Sequence, residues 1–535
     1  MSTIARARWG LLGLLLAATF AAHAAMPAST NPPAFTQKPF SPTLDSLTKY
    51  RCPDWFRDAK FGIWAHWGPQ SVPMAGDWYA RNMYLQANQG GQYQHHLDNY
   101  GHPSTNGWKD IIPLWKAEKW DPDRLMALYK QAGARYFVSM GVHHDNVDLW
   151  NSRYHRWNAV KTGPRRDVVG EWQKAARKQG LRFGVSEHLG ASFTWFQPSH
   201  GSDTSGPRAG APYDGADPTW QDLYHRPAAP GDTAWYSTDP QWHQEWFTRI
   251  KDLVDQYQPD LLYTDGALPF GETGRRLLAH YYNANRSQHG GNLEAVYTLK
   301  DWRTRPGHGD YVEGIGVQDV ERGGLAGIKP MPWQTDTSIG DWFYNRNWKA
   351  RDTGRMYRSA QWVIRTLADI VSKNGNMLLN VVQRPDGSLD PEVEQLLTEV
   401  GAWMTVNGEA IYSTRPWGVY GEGAAQTDAG HFKEDFAFSA SDVRFTQSKD
   451  GRTLYAIVLG WPADGTLTIA SLATPAPGTQ NKVERVELLG QEGPLAFTQT
   501  ADGLRVTLPG KPLSTIACAL RIAGRNLQPR TQGAK

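Results

Sequence analysis

The chain has 535 residues, too many for one small domain and enough for two or three folding units. Apolar residues make up 40% and charged residues 20%, which marks a globular protein and excludes a disordered one. With 56 basic against 53 acidic residues the net charge is +3, without the basic excess of a dedicated nucleic-acid binder. Trp stands out at 24 copies. An indole has a flat apolar face and one donor, which suits core packing and equally the C–H face of a sugar.

The chain opens with Arg6 and Arg8, an apolar run at 11–20, and Ala22-His23-Ala24, a small-x-small cleavage pattern. This predicts a signal peptide over residues 1–25 and an exported protein, periplasmic or extracellular. The run is too short for a membrane span, and no later stretch is long and apolar enough for one. The only cysteines are Cys52 and Cys518. Export permits a disulfide, but their spacing implies no proximity, and two separate buried thiols are expected. Two cysteines cannot build a cysteine metal site.

Residues 26–48 are rich in Pro, Thr and Ser and form a lead-in. Strands are predicted at 61–65, 136–142, 181–186, 261–264, 294–299, 314–320, 332–338 and 377–382. Helices are predicted at 121–133, 167–180, 239–257, 355–373 and 391–406. Asp121 and Pro122 make a cap and first turn, with Leu125, Leu128 and Tyr129 on one face. Trp242, Trp246, Ile250 and Leu253 recur at helical spacing and are expected in the core. Eight strands with helices between most of them predict an α/β fold, a (β/α)8-like barrel over residues 26–410. Residues 192–238 interrupt the rhythm with Gly, Pro, Asp and Trp and no periodicity, and follow a strand end, which puts them on the active-site side. From about 411 short alternating runs at 453–459, 467–469, 483–488 and 504–508 alternate with Asp-Gly and Pro-Gly turns. They predict a C-terminal antiparallel β-sandwich over 411–525, with a polar, disordered tail at 526–535.

Strand ends of a parallel barrel converge on one face. Here they carry His66, His143, His144, Glu187, His188, Asp265, Glu321 and Asp336, with Asp77 and Trp78 a short loop past the first strand. Asp265 is the strongest candidate. Leu261, Leu262, Tyr263 and Thr264 anchor a buried strand that ends in a carboxylate and Gly266. Alone this is also an ordinary Thr-Asp-Gly turn; its neighbours favour a nucleophile. Imidazoles hydrogen-bond hydroxyls, indoles cover a sugar's apolar face, and two carboxylates can cleave a glycosidic bond. A metal centre is the rival use of the histidines. No His-Glu-x-x-His is present, and His143 and His144, if extended, point to opposite sides, which is poor chelating geometry. Neither metal nor cofactor is expected.

The segments KFGIWAHWGPQSVP (60–73), DWY (77–79), VHHD (142–145), the Thr-Asp-Gly exit and MLLNVVQRPDG (377–387) resemble, in order and approximate spacing over residues 45–410, the α-L-fucosidases of glycoside hydrolase family 29. The resemblance implies a barrel with a C-terminal β-sandwich, retaining hydrolysis of α-L-fucosides, and no cofactor. It implies Asp265 as nucleophile, His66, His143 and His144 as ligands of fucose hydroxyls, and Trp78 as a pocket wall. Asp77 stands where the family often has Glu. Thr264 replaces an aromatic residue before the nucleophile, and Trp333-Gln334 stands where a Trp-Glu pair is usual; Asp77 and Trp333 are retained as substrate-binding candidates. Glu321 is the choice for acid/base, since it leaves a predicted strand beside Gly323 and Gly324, which would allow close substrate approach. The alternatives are a surface salt bridge to Arg322 for this residue, and Glu313 or Asp336 for the role. The expected partner is a fucosylated oligosaccharide or glycoconjugate; the oligomeric state is open. A barrel galactosidase and an inert sugar-binding protein of the same fold are the competing functions.

Overall fold

The computed structural model describes residues 39–87, 90–425, 427–434, 437–474 and 482–529. The signal-peptide segment and the end of the tail lie outside these. Eight parallel strands close into a barrel: β1 (Phe61–Ala65), β2 (Tyr136–Val142), β3 (Arg182–Glu187), β4 (Leu261–Thr264), β5 (Val296–Lys300), β6 (Val317–Asp319), β7 (Trp333–Ser338) and β8 (Gly375–Asn380). Closure is the β1–β8 pairing, from Phe61 with Met377 to Trp64 with Asn380. Both faces of these strands are covered, so β1 and β2 are buried throughout and read as near-continuous apolar runs.

The surrounding helices are α1 (Pro122–Gln131), α2 (Val168–Lys178), α3 (Pro240–Tyr257), α4 (Glu272–Gln288), α5 (Ala360–Ser372) and α6 (Pro391–Asn407). Asp121, Asp167, Asp239 and Ser359 each accept a backbone N–H at a helix start. Ser359 makes α5 begin later than its apolar pattern suggested. Trp242 and Trp246 are buried in the core, as their spacing predicts. Among the described residues β5–β6 and β6–β7 are joined without a helix. Residues 192–238 carry several short helical turns, a correction to the structureless insertion expected there. Cys52 is half-buried and Cys518 buried, and both are free thiols.

Beyond α6 the chain builds antiparallel strands β9 (Thr414–Glu422), β10 (Val443–Ser448), β11 (Thr453–Val458), β12 (Thr466–Ile469), β13 (Lys482–Leu488), β14 (Phe497–Thr500), β15 (Gly503–Thr507) and β16 (Cys518–Arg525). They form a five-stranded sheet, β13-β16-β11-β10-β9, and a three-stranded sheet, β12-β15-β14. Leu454, Ala456 and Val458 of β11 enter the core shared by the two sheets. Tyr455 and Ile457, pointing the other way, join the barrel's own core. The larger sheet is thus covered on both faces, one of them by the barrel. No described helix is long and apolar enough to cross a membrane.

Candidate active site

The carboxyl ends of the barrel strands surround a cavity of about 380 Å³, within the roughly 300–1,000 Å³ of small-ligand clefts. His66, Asp77, Trp78, His143, His144, His188, Asp265, Glu321 and Asp336 all line it. Glu187 does not: its carboxylate accepts from the Thr264 hydroxyl and the Trp246 indole, so it faces the helix layer.

Asp265 follows β4, and Gly266 holds a backbone φ of +135°. A Cβ at Gly266 would lie 2.2 Å from the Tyr236 hydroxyl, so only glycine lets Tyr236 brace this turn. The carboxylate of Asp265 receives Lys300 Nζ at 2.6 Å on Oδ1, with His144 Nε2 at 3.2 Å and His188 Nδ1 at 3.4 Å from Oδ2. Burial by itself would raise its pKa, but the Lys300 charge, with His188 and His144, holds Asp265 well below the usual carboxylate range. Lys300, the last residue of β5, also donates to Glu321 Oε2 at 2.6 Å. The two carboxylates therefore lie, oxygen to oxygen, no further apart than two such bonds laid end to end.

Glu321 follows β6. Burial, with Asp336 and Asp265 nearby, lifts its pKa to about 7 against the opposing pull of Lys300. It is paired with Lys300 rather than with Arg322, which bonds Glu434 at 3.0 Å, so the surface salt bridge weighed from sequence is absent. Gly323 and Gly324 also prove to serve something other than the substrate. A Cβ on Gly323 would lie 2.0 Å from the Gly430 carbonyl oxygen, and Gly324 bridges to Ala429 and Gly430. Asp336 is buried, 4.0 Å from Lys300, and accepts from the Tyr263 hydroxyl at 2.9 Å. Glu313 lies outside the cavity and pairs with Lys329 at 2.8 Å.

The histidines converge. β2 carries a register shift between Met140 and Val142 and ends there, so His143 and His144 follow in a turn with ring centroids 4.5 Å apart. This corrects the expectation of opposite-facing side chains, which assumed an extended backbone. The Gln70 amide donates to His143 Nδ1 at 2.7 Å while its oxygen accepts the Ala80 N–H. His143 Nδ1 is thus an acceptor, and its Nε2 proton points toward Asp77, 3.7 Å away. His144 Nδ1 donates to the His188 carbonyl at 2.6 Å. Burial, with neighbouring imidazoles, lowers the pKa of His66 and His143 well below the ordinary value. Burial likewise lowers that of His188, to about 4 despite Asp265. The rings of His66, His143 and His188 are neutral donor–acceptor groups, suited to hydroxyls.

Two trios, His66-His143-His188 and His144-His188-Asp265, each bring one ligand atom per residue within 4.8 Å of the others. In the first, His143 Nδ1 is occupied by Gln70. In the second, a cation on Asp265 would share the carboxylate with the Lys300 ammonium, which disfavours it.

Residues 28–409 match the family model for α-L-fucosidase, and residues 437–523 that for the α-L-fucosidase C-terminal domain. The chain belongs to the α-L-fucosidase family. Plasma α-L-fucosidase of Pongo abelii is 30% identical over 91% of this chain and 92% of its own. Tissue α-L-fucosidase of Bos taurus is 30% identical over 91% of each. The solved structure of Thermotoga maritima α-fucosidase with a mechanism-based inhibitor covers 90% of this chain and 100% of its own, with TM-score 0.69 at 27% identity.

One candidate of the fucosidase lies elsewhere. Trp333 is the first residue of β7, at the end of the barrel away from the cavity, and its indole N–H donates to the Lys373 carbonyl at 2.8 Å. Gln334 beside it bonds Tyr136 and Asp319 inside the barrel. This Trp-Gln pair cannot contact a sugar in the cavity, because strand position, unlike residue type, decides which end a side chain serves. Sequence reasoning missed Lys300, Trp235, Trp302 and Phe432, all cavity-lining. Lys300 left a signal, a charged residue one place past a predicted strand. Phe432 left none, since it lies beyond the predicted barrel.

Proposed function

We propose that this fucosidase releases α-L-fucose with retention of anomeric configuration, through a covalent glycosyl-enzyme, with Asp265 as nucleophile and Glu321 as acid/base. The observation that carries the reading is the pair of hydrogen bonds that Lys300 donates, one to each carboxylate. It bounds their separation near the roughly 5–5.5 Å of retaining pairs, short of the roughly 6.5–9.5 Å that an inverting pair needs for its water. Their pKa values are pushed apart in the sense the roles require, Asp265 down and Glu321 up.

In the first step an Asp265 oxygen bonds to C1, the bond from C1 to the leaving oxygen breaks, and the Glu321 proton goes to that oxygen. In the second, Glu321 takes a proton from water, the hydroxide oxygen bonds to C1, and Asp265 departs as carboxylate. His66, His143 and His144 would orient the hydroxyls, with Trp78 as a wall and Asp77 accepting a hydrogen bond. Lys300 keeps Asp265 ionised and held in place. The mechanism uses no metal or cofactor. Proton NMR of early turnover should show the α anomer of fucose forming first; the β anomer first would overturn the reading. Asp265→Asn should lower kcat on the order of 10⁴-fold with the fold retained. Residues 1–25 would direct export, in which case the mature protein from the cell envelope or medium begins near Ala25.

A further inference from the structure

One wall of this cavity comes from outside the barrel. The connection between β9 and β10 returns to the mouth through residues 427–434. Gly430 N–H donates to the Gly324 carbonyl at 3.0 Å and Phe432 N–H to the Glu321 carbonyl at 2.8 Å, while Glu321 N–H donates to His431 Nδ1 at 3.0 Å. Glu434 anchors the segment on Arg322 at 3.0 Å, Arg358 at 2.8 Å and the Thr337 hydroxyl at 2.5 Å. The absence of a side chain at Gly323 is what lets this arm approach.

On the arm, Phe432 lines the cavity yet is 57% exposed, at a positive φ of 58°. A bulky residue in the left-handed region is uncommon and persists only where its surroundings dictate it; here the bonds on either side do so. Phe432 is held at the mouth, bonded through its backbone to Glu321. Elsewhere on the rim the Arg305 guanidinium lies 4.9 Å over the Trp302 ring, and His308 stacks on Trp235 at 5.8 Å.

We propose that Phe432 is a specificity-determining residue of a leaving-group subsite that takes a pyranose, the sugar to which the fucose is attached. This rests on the double-displacement reading, in which Glu321 protonates the leaving oxygen, so whatever stands beside Glu321 at the mouth faces the leaving group. The ring offers an apolar surface to the C–H face of a sugar, and Arg305 offers donors to its hydroxyls. A small leaving group reaches neither.

The test compares two donors, 2′-fucosyllactose and α-L-fucosyl fluoride, the second of which has a leaving group with no sugar ring. In Phe432→Ala the ratio of kcat/KM for the glycan to that for the fluoride should fall about tenfold, the scale of one aromatic contact. Phe432→Tyr should keep the ratio within about twofold. Thermal unfolding of both variants should match the parent. An unchanged ratio in Phe432→Ala, whether both donors fall together or neither does, overturns the proposal. Asp265→Asn with the fluoride is the separate control: retained turnover there would remove the double-displacement reading, independently of the Phe432 ratio.

Discussion

Glu321 and Asp265 are carboxylates within reach of the same ammonium, yet they are driven in opposite directions. Asp265 is bonded by the Lys300 ammonium, with His188 and His144 against its other oxygen, and stays ionised; Glu321 has Lys300 alone, and faces Asp336 and Asp265. Activity requires Asp265 ionised and Glu321 protonated. The rate should therefore fall as pH rises through about 7, the value to which Glu321 is raised. The acid-side loss should come below the ordinary Asp value of about 3.9. A kcat/KM profile with an activated aryl fucoside checks this, and Glu321→Gln should abolish the descending limb. Lys300→Met removes a charge that lowers both pKa values, so both limbs should move to higher pH, and kcat/KM should fall on the order of 10²-fold. A variant with unmoved limbs would show that the lysine acts only in packing.

At the scale of elements, most of the functional side chains are delivered by strand ends, but the last few residues decide their direction. The shift in β2 brings His143 and His144 to one side, where an uninterrupted strand would have separated them. Lys300 ends β5 and reaches both carboxylates. The turn after β6 is held by the β9–β10 arm, and at Gly323 there is no room for a Cβ beside the Gly430 carbonyl. Gly323→Ala would set a methyl group against a carbonyl oxygen that cannot rotate aside. It should cost about 1–3 kcal/mol of stability, and also lower kcat, because the displaced arm no longer holds Glu321. Denaturant unfolding and single-turnover kinetics on the same preparation measure the two effects. A loss of stability with kcat intact would mean that the arm does not position Glu321.

The two folding units of this fucosidase behave as one at the scale of the molecule. Tyr455, Ile457 and Leu459 lie in the same apolar core as the barrel helices. Across this junction Asp369 of α5 accepts from Arg444 of β10 at 2.6 Å and from the Thr427 hydroxyl at 3.0 Å, and within the barrel unit from Lys373 at 2.7 Å, with the ion pairs buried. Removing one member of a buried ion network leaves the remainder undersatisfied. Arg444→Met should therefore lower stability by on the order of 3 kcal/mol, seen as a lower Tm with both units still unfolding together. An unchanged Tm would mean that Lys373 and Thr427 suffice for Asp369.

The eight strands, every helix named above except α4, the cap at Asp121 and the C-terminal antiparallel domain were legible in the linear chain, because periodicity and capping are interactions between near neighbours. Asp265 was legible too, since an apolar strand ending in a carboxylate and glycine is a local pattern. Trp333 was misplaced, Lys300 passed over and the arm unseen because none of them is local. The bond of one ammonium to residues 265 and 321, and the return of residues 427–434 to a turn more than a hundred residues earlier, exist only when distant segments pack. Burial then sets which groups carry charge, and that is decided by the folded surroundings rather than by any residue alone.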